Sequence, residues 1–265
     1  MPTYRLTLEY DGSEFHGWQQ QPDTRTVAGV LLGALHTVSG ETPSLTAAGR
    51  TDAGAHAHGQ VVGVSLARNW EPERLRAALN AALPDDVAVV AAMLRADGFD
   101  ARRDAVDRTY RYLVLSRSGP APVTRRHTWV VNGPLDVDAM RAAATPLLGT
   151  HDFAAFGGAT NPGGSTVRTV HEISIERLLV GAESTGPTLD TVVITVRANA
   201  FLRGMMRAFA GALVKVGQGR VAATWVGQLL AEPTQRSSLI PLAPARGLHQ
   251  WHVTYGSHTL AETAA

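Results

Sequence analysis

The order of hydrophobic periodicities over the first hundred residues constrains the fold more than any other feature of this chain. Residues 4–10 alternate apolar and polar side chains, as a half-buried strand does, and residues 60–66 and 87–94 also have the pattern of strands. Between them, residues 27–38 and 72–82 repeat apolar positions at helical spacing. The segment therefore predicts the order strand, helix, strand, helix, strand.

The second half of the chain repeats this order of elements loosely. Strand-like alternation recurs at residues 109–115, 171–179, 189–197 and 248–255, and helical spacing at 137–147, 204–216 and 222–231. Pro146 is expected to end or kink the first of these helices early, because proline disrupts an interior helical turn. Strands mixed with crossover helices predict an α+β chain whose sheet is covered by helices on one side.

Cysteine is absent from the sequence, which excludes disulfides, thiolate metal sites and cysteine nucleophiles. No apolar run approaches the roughly 20 residues that a membrane-spanning helix needs. Residues 1–6 lack the charged start and apolar stretch of a signal peptide. We therefore expect a cytoplasmic protein that does not associate with a membrane.

The charges are balanced overall but unevenly distributed. The chain has 24 basic residues, all arginine except Lys215, and 23 acidic residues. This balance alone argues against a nucleic-acid partner. Residues 108–135 and 191–231, here named the acid-free windows, nevertheless carry ten basic residues and no acid. They predict either a basic face that attracts phosphates or two solvated stretches that never meet. A GC-rich genome would also favour arginine over lysine.

The segment A-G-R-T-D-A-G-A-H at residues 48–56 is the clearest candidate for chemistry. Asp52 is flanked by small residues, which let a backbone approach a ligand closely, and a strand follows. Arg50 can reach the same neighbourhood and favour the ionised carboxylate. An ionised and positioned aspartate can act as a nucleophile or base. The competing interpretation is that Asp52 and Gly54 form an ordinary turn.

His56 and His58 alternate, and would lie on one side of a strand that starts early. Together with Asp52 they give an alternative hypothesis, a metal-dependent hydrolase. No H-E-x-x-H segment and no third histidine at a metal-ligand spacing accompany them in the sequence. We therefore expect no metal, and full activity in excess chelator would eliminate the hydrolase.

Several separated blocks, in order along nearly the whole chain, resemble a known family. The G-R-T-D-A-G-x-H segment at residues 49–56 is similar to the active-site motif of the tRNA pseudouridine synthase A family, which acts on the anticodon stem-loop. Further similar blocks are E-Y-D-G-S-x-F-x-G-W-Q-x-Q at 9–21, L-N-A-A-L-P-D-D-V at 79–87, F-D-A-R at 99–102, R-T-Y-R-Y at 108–112, L-L-G-T-H-D-F-A-A-F at 147–156, N-A-F-L-R-G-M-M-R at 199–207 and A-R-G-L at 245–248.

The resemblance implies an α+β fold of two ferredoxin-like halves that share a continuous mixed, mostly antiparallel sheet, with helices on one face and a cleft between the halves. Residues 1–105 would form the N-terminal half with the aspartate loop. Residues 106–255 would form the C-terminal half with the stacking tyrosine and RNA-binding arginines, and residues 256–265 a flexible tail. The resemblance also implies a homodimer that binds tRNA without a cofactor or metal and modifies uridines at tRNA positions 38, 39 and 40.

The resemblance also implies roles for individual residues. Asp52 would be the nucleophile that attacks either C1′ of the ribose or C6 of the base, and the sequence leaves both routes open. Arg207 would be its ion-pair partner, and Arg50 would position the flipped-out nucleotide. A uridine must leave its stack before a carboxylate can reach its sugar, and Tyr110 would then stack on the base. On periodicity alone, Tyr110 and Tyr112 would both be core aromatic residues. The remaining candidate substrate-binding residues are Arg108, Arg111 and Arg203.

Four positions depart from the usual pattern of the family, namely Ala28, Arg103, Asp104 and Met206. We expect them to affect local packing or RNA contacts rather than the reaction. Two further function classes remain open: an RNA-modifying isomerase, and an arginine-rich RNA-binding protein that has kept the fold and lost activity. Retention of Asp52 favours the isomerase.

Overall fold

The computed structural model of the protein describes residues 1–159, 163–180, 189–231 and 238–256. The helices and strands of these residues, in chain order, are β1 (Thr3–Tyr10), α1 (Val27–Ser39), β2 (Leu45–Ala47), β3 (His56–Ser65), α2 (Pro72–Ala82), β4 (Val87–Arg95), β5 (Ala105–Ser116), β6 (Trp129–Val131), α3 (Val137–Ala144), β7 (Gly149–Asp152), β8 (Val167–Val180), β9 (Leu189–Ala198), α4 (Met205–Gly217), α5 (Thr224–Ala231) and β10 (Leu248–Tyr255). Every helix and strand that the periodicity predicts is present among them.

The α+β fold class is confirmed. The strands form a ten-stranded mixed sheet in which β5 and β6 pair in parallel and β1, for example, pairs antiparallel with β3 and β4. By compactness the chain divides into two units. Unit 1 comprises residues 1–108 and the chain from residue 250 onward, and unit 2 comprises residues 109–249.

Unit 1 contains the strand order β4-β1-β3-β10, with β2 paired to β3. Tyr4, Leu6, Leu8 and Tyr10 alternate along β1 and are buried in one cluster with apolar residues of both α1 and α2. Both helices therefore pack on the same face of these strands. This is the arrangement that the alternation at residues 4–10 predicts, because only one face of β1 is apolar.

Local sequence signals set the ends of the unit 1 helices. The Thr26 side chain accepts a hydrogen bond from the Gly29 amide at the start of α1, and Gly40 ends the helix with a φ of 74°. The Glu71 carboxylate caps α2, and Pro72 occupies its first turn. Both helices consequently begin at the residue that the sequence predicts.

Unit 2 contains the strand order β5-β9-β8-β7, with β6 along β5. The Asp136 carboxylate accepts from the Ala139 amide at the start of α3, and the helix gives way to a 3-10 turn at Thr145–Leu147. The prediction that Pro146 shortens this helix is confirmed.

The two acid-free windows meet in unit 2. Residues 109–116 of β5 and 191–198 of β9 belong to neighbouring strands. The Tyr110 ring also meets the Phe201 ring edge to face, with 4.7 Å between the centroids. The interpretation of the windows as two stretches that never meet is therefore wrong.

The structure differs from the sequence prediction in several places. β3 begins at His56, four residues before the predicted start, because alanine and glycine hide the alternation. β2, β6 and β7 are not predicted, and each is only three or four residues long. The predicted tail at residues 256–265 lies outside the described residues except for Gly256. None of the helices in the described part of the chain is long and apolar enough to cross a membrane.

Candidate active site

Asp52 lies in a tight turn that leads directly into β3, within residues 49–55, here named the Asp52 loop. The Ala55 amide donates to the Asp52 carbonyl at 3.1 Å. Gly54 has a φ of 78°, a left-handed conformation that glycine adopts without strain. The ordinary turn of the competing interpretation therefore exists. It is compatible with a catalytic role, because it leaves the Asp52 side chain partly exposed.

The end of β1 and the segment that follows it hold the loop on both sides of the aspartate. The hydroxyl groups of Tyr10 and Thr51 lie 2.8 Å apart in a buried hydrogen bond. The Trp18 amide donates to the Thr51 carbonyl at 3.1 Å, and the Gly54 amide donates to the Phe15 carbonyl at 3.2 Å. Each of these bonds restrains a residue within two positions of the aspartate.

Two glycines of the same segment are required by close packing on the loop. A Cβ at Gly12 would overlap the Ala55 carbonyl. At Gly17, where φ is 89°, a Cβ would come within 2.9 Å of the Thr51 carbonyl oxygen. Neither position accepts a side chain unless the loop moves. The two glycines in the block at residues 9–21 are therefore explained by the loop they support.

The two histidines at the start of β3 have contacts with other acids. The Nδ1 atom of His56 is 3.2 Å from an Asp11 carboxylate oxygen, and Nδ1 of His58 is 3.7 Å from a Glu9 carboxylate oxygen. The hydrolase alternative needs both rings to converge with Asp52 on one ion. These contacts direct the rings to two different acids, so the geometry of unit 1 does not favour that grouping.

The two candidate arginines of unit 1 have opposite surroundings. Arg50 is exposed, and its guanidinium is accessible to a ligand phosphate. Arg108 is 8% exposed and donates hydrogen bonds to the carbonyls of Ala48, Arg102 and Ala105. Arg108 therefore supports the backbone that leads to the Asp52 loop. This burial does not fit a phosphate contact, so Arg108 is not retained among the substrate-binding candidates.

Tyr110 and Arg111 are consecutive residues of β5 in unit 2. Tyr110 is 7% exposed, and its ring packs against Phe201. Alternation along a strand predicts such burial for a core aromatic residue. The Phe201 contact restrains the ring, and little of the residue is exposed. Arg111 is half-buried.

Arg203 lies just before α4 and Arg207 in its first turn, and both are anchored by backbone groups of unit 2. The Arg207 Nε donates to the Ala243 carbonyl at 2.7 Å, and the Ala243 amide donates to the Arg207 carbonyl at 3.2 Å. The Arg203 amide and carbonyl both hydrogen-bond to the backbone of Gly158, while its side chain is exposed. Both cations are therefore carried on fixed backbone.

Arg246 is a further cation in this neighbourhood that the sequence reasoning did not single out. Burial raises the pKa of Tyr112 well above its usual value, and the positive charges of Arg207 and Arg246 oppose that rise. Gly247 packs against the same ring, where a Cβ would lie 2.7 Å from a ring carbon. Arg246 is exposed. Its position inside the A-R-G-L block was the available signal.

Comparison with known proteins supports the resemblance over both units. A family model described as tRNA pseudouridine synthase matches residues 7–102 and 143–256. The tRNA pseudouridine synthase A of Methylorubrum populi is 45% identical over 249 residues, which cover 94% of this chain and 96% of that protein. Those of Azorhizobium caulinodans and Myxococcus xanthus are each 41% identical, over 100% and 99% of this chain and 98% and 96% of theirs. With the Asp52 loop and the arginines of α4 inside the matched residues, this chain belongs to the tRNA pseudouridine synthase family of isomerases.

Proposed function

We propose that this chain converts uridine to pseudouridine in the anticodon stem-loop of tRNA, at positions 38, 39 and 40, with Asp52 as the nucleophile. The observation that carries the proposal is the Asp52 loop, in which hydrogen bonds and close glycine contacts fix a partly exposed carboxylate at the start of a buried strand. The family match and the names of the relatives support tRNA as the substrate. Similarity of the G-R-T-D block supports the anticodon arm.

The reaction is an isomerisation, so its atoms balance without a second substrate. The bond between N1 of the base and C1′ of the ribose breaks, the uracil turns, and C5 bonds to C1′. C5 loses a proton and N1 gains one. Asp52 can begin the sequence by attacking C1′, which gives a ribosyl ester, or C6, which gives an adduct of the base. Both routes return the free carboxylate and need neither an oxidant nor a cofactor.

The nucleophile needs rigid support and a cation. An error of about 1 Å in the position of a reacting group can lower a rate about 100-fold, and the contacts on Thr51 and Gly54 limit such errors. A carboxylate enclosed by bound RNA is costly unless it is paired. We assign this pairing to Arg207, whose Nε bond to Ala243 restricts its guanidinium.

The flipped uridine requires contacts of a different kind. Extrusion of a base from its stack costs a few kcal/mol, which stacking and phosphate contacts must offset. We assign stacking to Tyr110, positioning of the flipped nucleotide to Arg50, and phosphate contacts to Arg111 and Arg203. The meeting of the two acid-free windows in unit 2 supports a local basic surface. We also propose that the enzyme is a cytoplasmic homodimer that requires no metal or cofactor.

An RNA-binding protein without activity is the second function class. Such a protein would need the exposed arginines but not the buried contacts around Asp52. Gly12 and Gly17 both pack on this loop and fix the backbone that carries the aspartate. The geometry of unit 1 therefore favours the enzyme.

The proposal is tested by incubating the protein with an unmodified tRNA transcript and mapping pseudouridine at every position. New pseudouridine is expected at one or more of positions 38–40, to the same extent with and without excess chelator. No pseudouridine in the anticodon arm would overturn the substrate proposal. Loss of activity in chelator would restore the metal-dependent alternative.

A further inference from the structure

Two completely buried glutamine side chains of unit 1 connect β10 to the Asp52 loop. Gln60 on β3 and Gln250 on β10 are both 0% exposed. The Gln60 Nε2 donates to the Gly49 carbonyl at 2.7 Å. The Gln60 Oε1 accepts from the Val61 amide at 3.1 Å and from the Gln250 Nε2 at 3.0 Å. The Gly49 carbonyl belongs to the first residue of the Asp52 loop.

A backbone group fixes the direction of this chain of hydrogen bonds. The Val61 amide can only donate, so the atom of Gln60 that faces it must be the oxygen. The Gln60 NH₂ group must then face the Gly49 carbonyl. Because the same Gln60 oxygen faces Gln250, the second glutamine must also present its NH₂ group. Each amide therefore has one allowed orientation, and a flip of either side chain would place like groups against each other.

Gln60 acts at the point where the chain leaves its pairing with β3. The Ala48 amide still donates to the Val61 carbonyl, at 2.9 Å. One residue later, the Gln60 side chain binds the Gly49 carbonyl instead. The Asp52 loop is consequently anchored at its first residue by Gln60 and further along by the contacts on Thr51.

A buried amide at position 250 does not increase the stability of the fold. Burial of an amide removes hydration and rotamer freedom. The Gln250 Oε1 is buried and accepts no hydrogen bond from the described residues, and an unsatisfied buried acceptor is costly. An apolar side chain at this position would avoid that cost. The remaining explanation is that Gln250 gives the Gln60 oxygen a second donor beside the Val61 amide and so restrains the Gln60 side chain.

We propose that Gln60 is a positioning residue that holds the Asp52 loop in its reactive geometry, and that Gln250, as a second donor beside the Val61 amide, helps to keep the Gln60 amide in its donating orientation. Neither side chain touches the substrate. The proposal rests on the proposed function of Asp52 as the nucleophile. Through Gln60, strand β10 would therefore influence the geometry of a loop that lies almost 200 residues earlier in the sequence.

Gln60→Glu tests the donor with almost no change in shape. An ionised glutamate cannot donate to the Gly49 carbonyl, so we expect the single-turnover rate at saturating tRNA to fall by about 10- to 100-fold. The dissociation constant for tRNA should stay within about 3-fold, because Gln60 is buried. A protonated glutamate regains one donor. The rate relative to wild type should therefore rise as the pH is lowered, whereas a simple packing defect would give a constant ratio.

Gln250→Leu and Asn80→Ala complete the test. Gln250→Leu removes the unsatisfied acceptor, so we expect an unchanged or higher melting temperature together with a 3- to 10-fold lower rate, on the order expected for a smaller misplacement. Asn80 is a matched control, because its side chain also bridges backbone groups, donating to the Val89 carbonyl at 2.9 Å and accepting from the Val89 amide at 2.7 Å. Its loss should lower the melting temperature and leave the rate unchanged.

Asp52→Ala, assayed in parallel, separates this proposal from the proposed function. Wild-type rates in both glutamine variants, with Asp52→Ala inactive, would overturn the positioning role and leave the nucleophile intact. Activity in Asp52→Ala would overturn the nucleophile itself. If Gln60→Glu does not fold, Gln60→Met replaces it, and wild-type rates in Gln60→Met and Gln250→Leu together overturn the positioning role.

Discussion

Unit 1 and unit 2 hold their proposed functional side chains in different ways. Asp52 is restrained through its backbone, by buried hydrogen bonds and by close packing against Gly12 and Gly17, where a side chain would not fit. Arg203 instead carries an exposed side chain on a fixed backbone. A nucleophile must be placed within a fraction of an ångström, whereas attraction between charges falls gently with distance. Substitutions that displace the Asp52 loop should therefore change the rate, and those at exposed arginines of unit 2 the affinity.

Gly12→Ala is expected to have the largest effect. The new Cβ overlaps the Ala55 carbonyl, so the Asp52 loop must move, and the single-turnover rate should fall about 100-fold or more. The matched control is Gly33→Ala, since a Cβ at this position of α1 meets nothing within 4 Å. The control should raise stability by about 0.5–1 kcal/mol and keep the wild-type rate. Equal rates in the two variants would show that the contact of Gly12 with the Ala55 carbonyl does not affect the reaction.

Arg207→Lys should have the next largest effect, on the one arginine of unit 2 that we place at the reacting carboxylate. Lysine keeps the charge but loses the Nε bond to Ala243, and its flexible ammonium is not held in one direction. We expect the single-turnover rate to fall about 10-fold or more with little change in tRNA affinity. Arg246→Lys is the control and should keep the rate. If both variants lowered tRNA affinity equally and left the rate unchanged, Arg207 would be a phosphate contact and not the partner of Asp52.

Arg203→Gln and Arg108→Gln compare an exposed arginine with a buried one. Loss of Arg203 should weaken tRNA binding and reduce the slope of log affinity against log salt concentration by about 1, with no change in melting temperature. Loss of Arg108 removes donors from buried carbonyls, which costs on the order of 1–3 kcal/mol of stability, and should leave the salt slope unchanged. A change in the salt slope with Arg108→Gln, and a loss of stability with Arg203→Gln, would contradict the assignment of the exposed arginine to RNA binding and of the buried one to stability.

Tyr112→Phe should have the smallest effect and should be confined to stability. The hydroxyl donates to the Pro244 carbonyl at 2.6 Å, and its loss should cost about 1 kcal/mol. Burial raises the pKa of Tyr112, so its contribution is complete below the unfolded value of about 10 and is lost as the pH rises above it. Melting temperatures between pH 8 and 11 should therefore fall less steeply in Tyr112→Phe. An identical alkaline slope would contradict this assignment.

Elements with a long periodic pattern could be predicted from the sequence. α1 and α4 were predicted within one residue of their observed ends, because a long apolar stripe at helical spacing fits no other structure. The Asp52 loop could also be located, since its small residues and the strand after it are local features. Its supports were visible only as the similar block at residues 9–21.

Features that depend on distant residues could not be predicted. Arg108 lies in an acid-free window, and its charge is the kind that binds a phosphate. In the folded chain, however, it is buried and donates its hydrogen bonds to three backbone carbonyls. Gln60 and Gln250 are 190 positions apart, and no periodicity links them. β2 and β6, with three residues each, are too short to show alternation.

The central claim is that Asp52, held by its loop, is the nucleophile. The most direct test is the single-turnover yield of pseudouridine in a tRNA anticodon arm with Asp52→Ala at saturating concentration. Asp85→Ala, which changes an exposed aspartate between α2 and β4, is the control. We expect normal tRNA binding but no pseudouridine with Asp52→Ala, and the wild-type yield with Asp85→Ala. Full conversion of uridine by Asp52→Ala would contradict it.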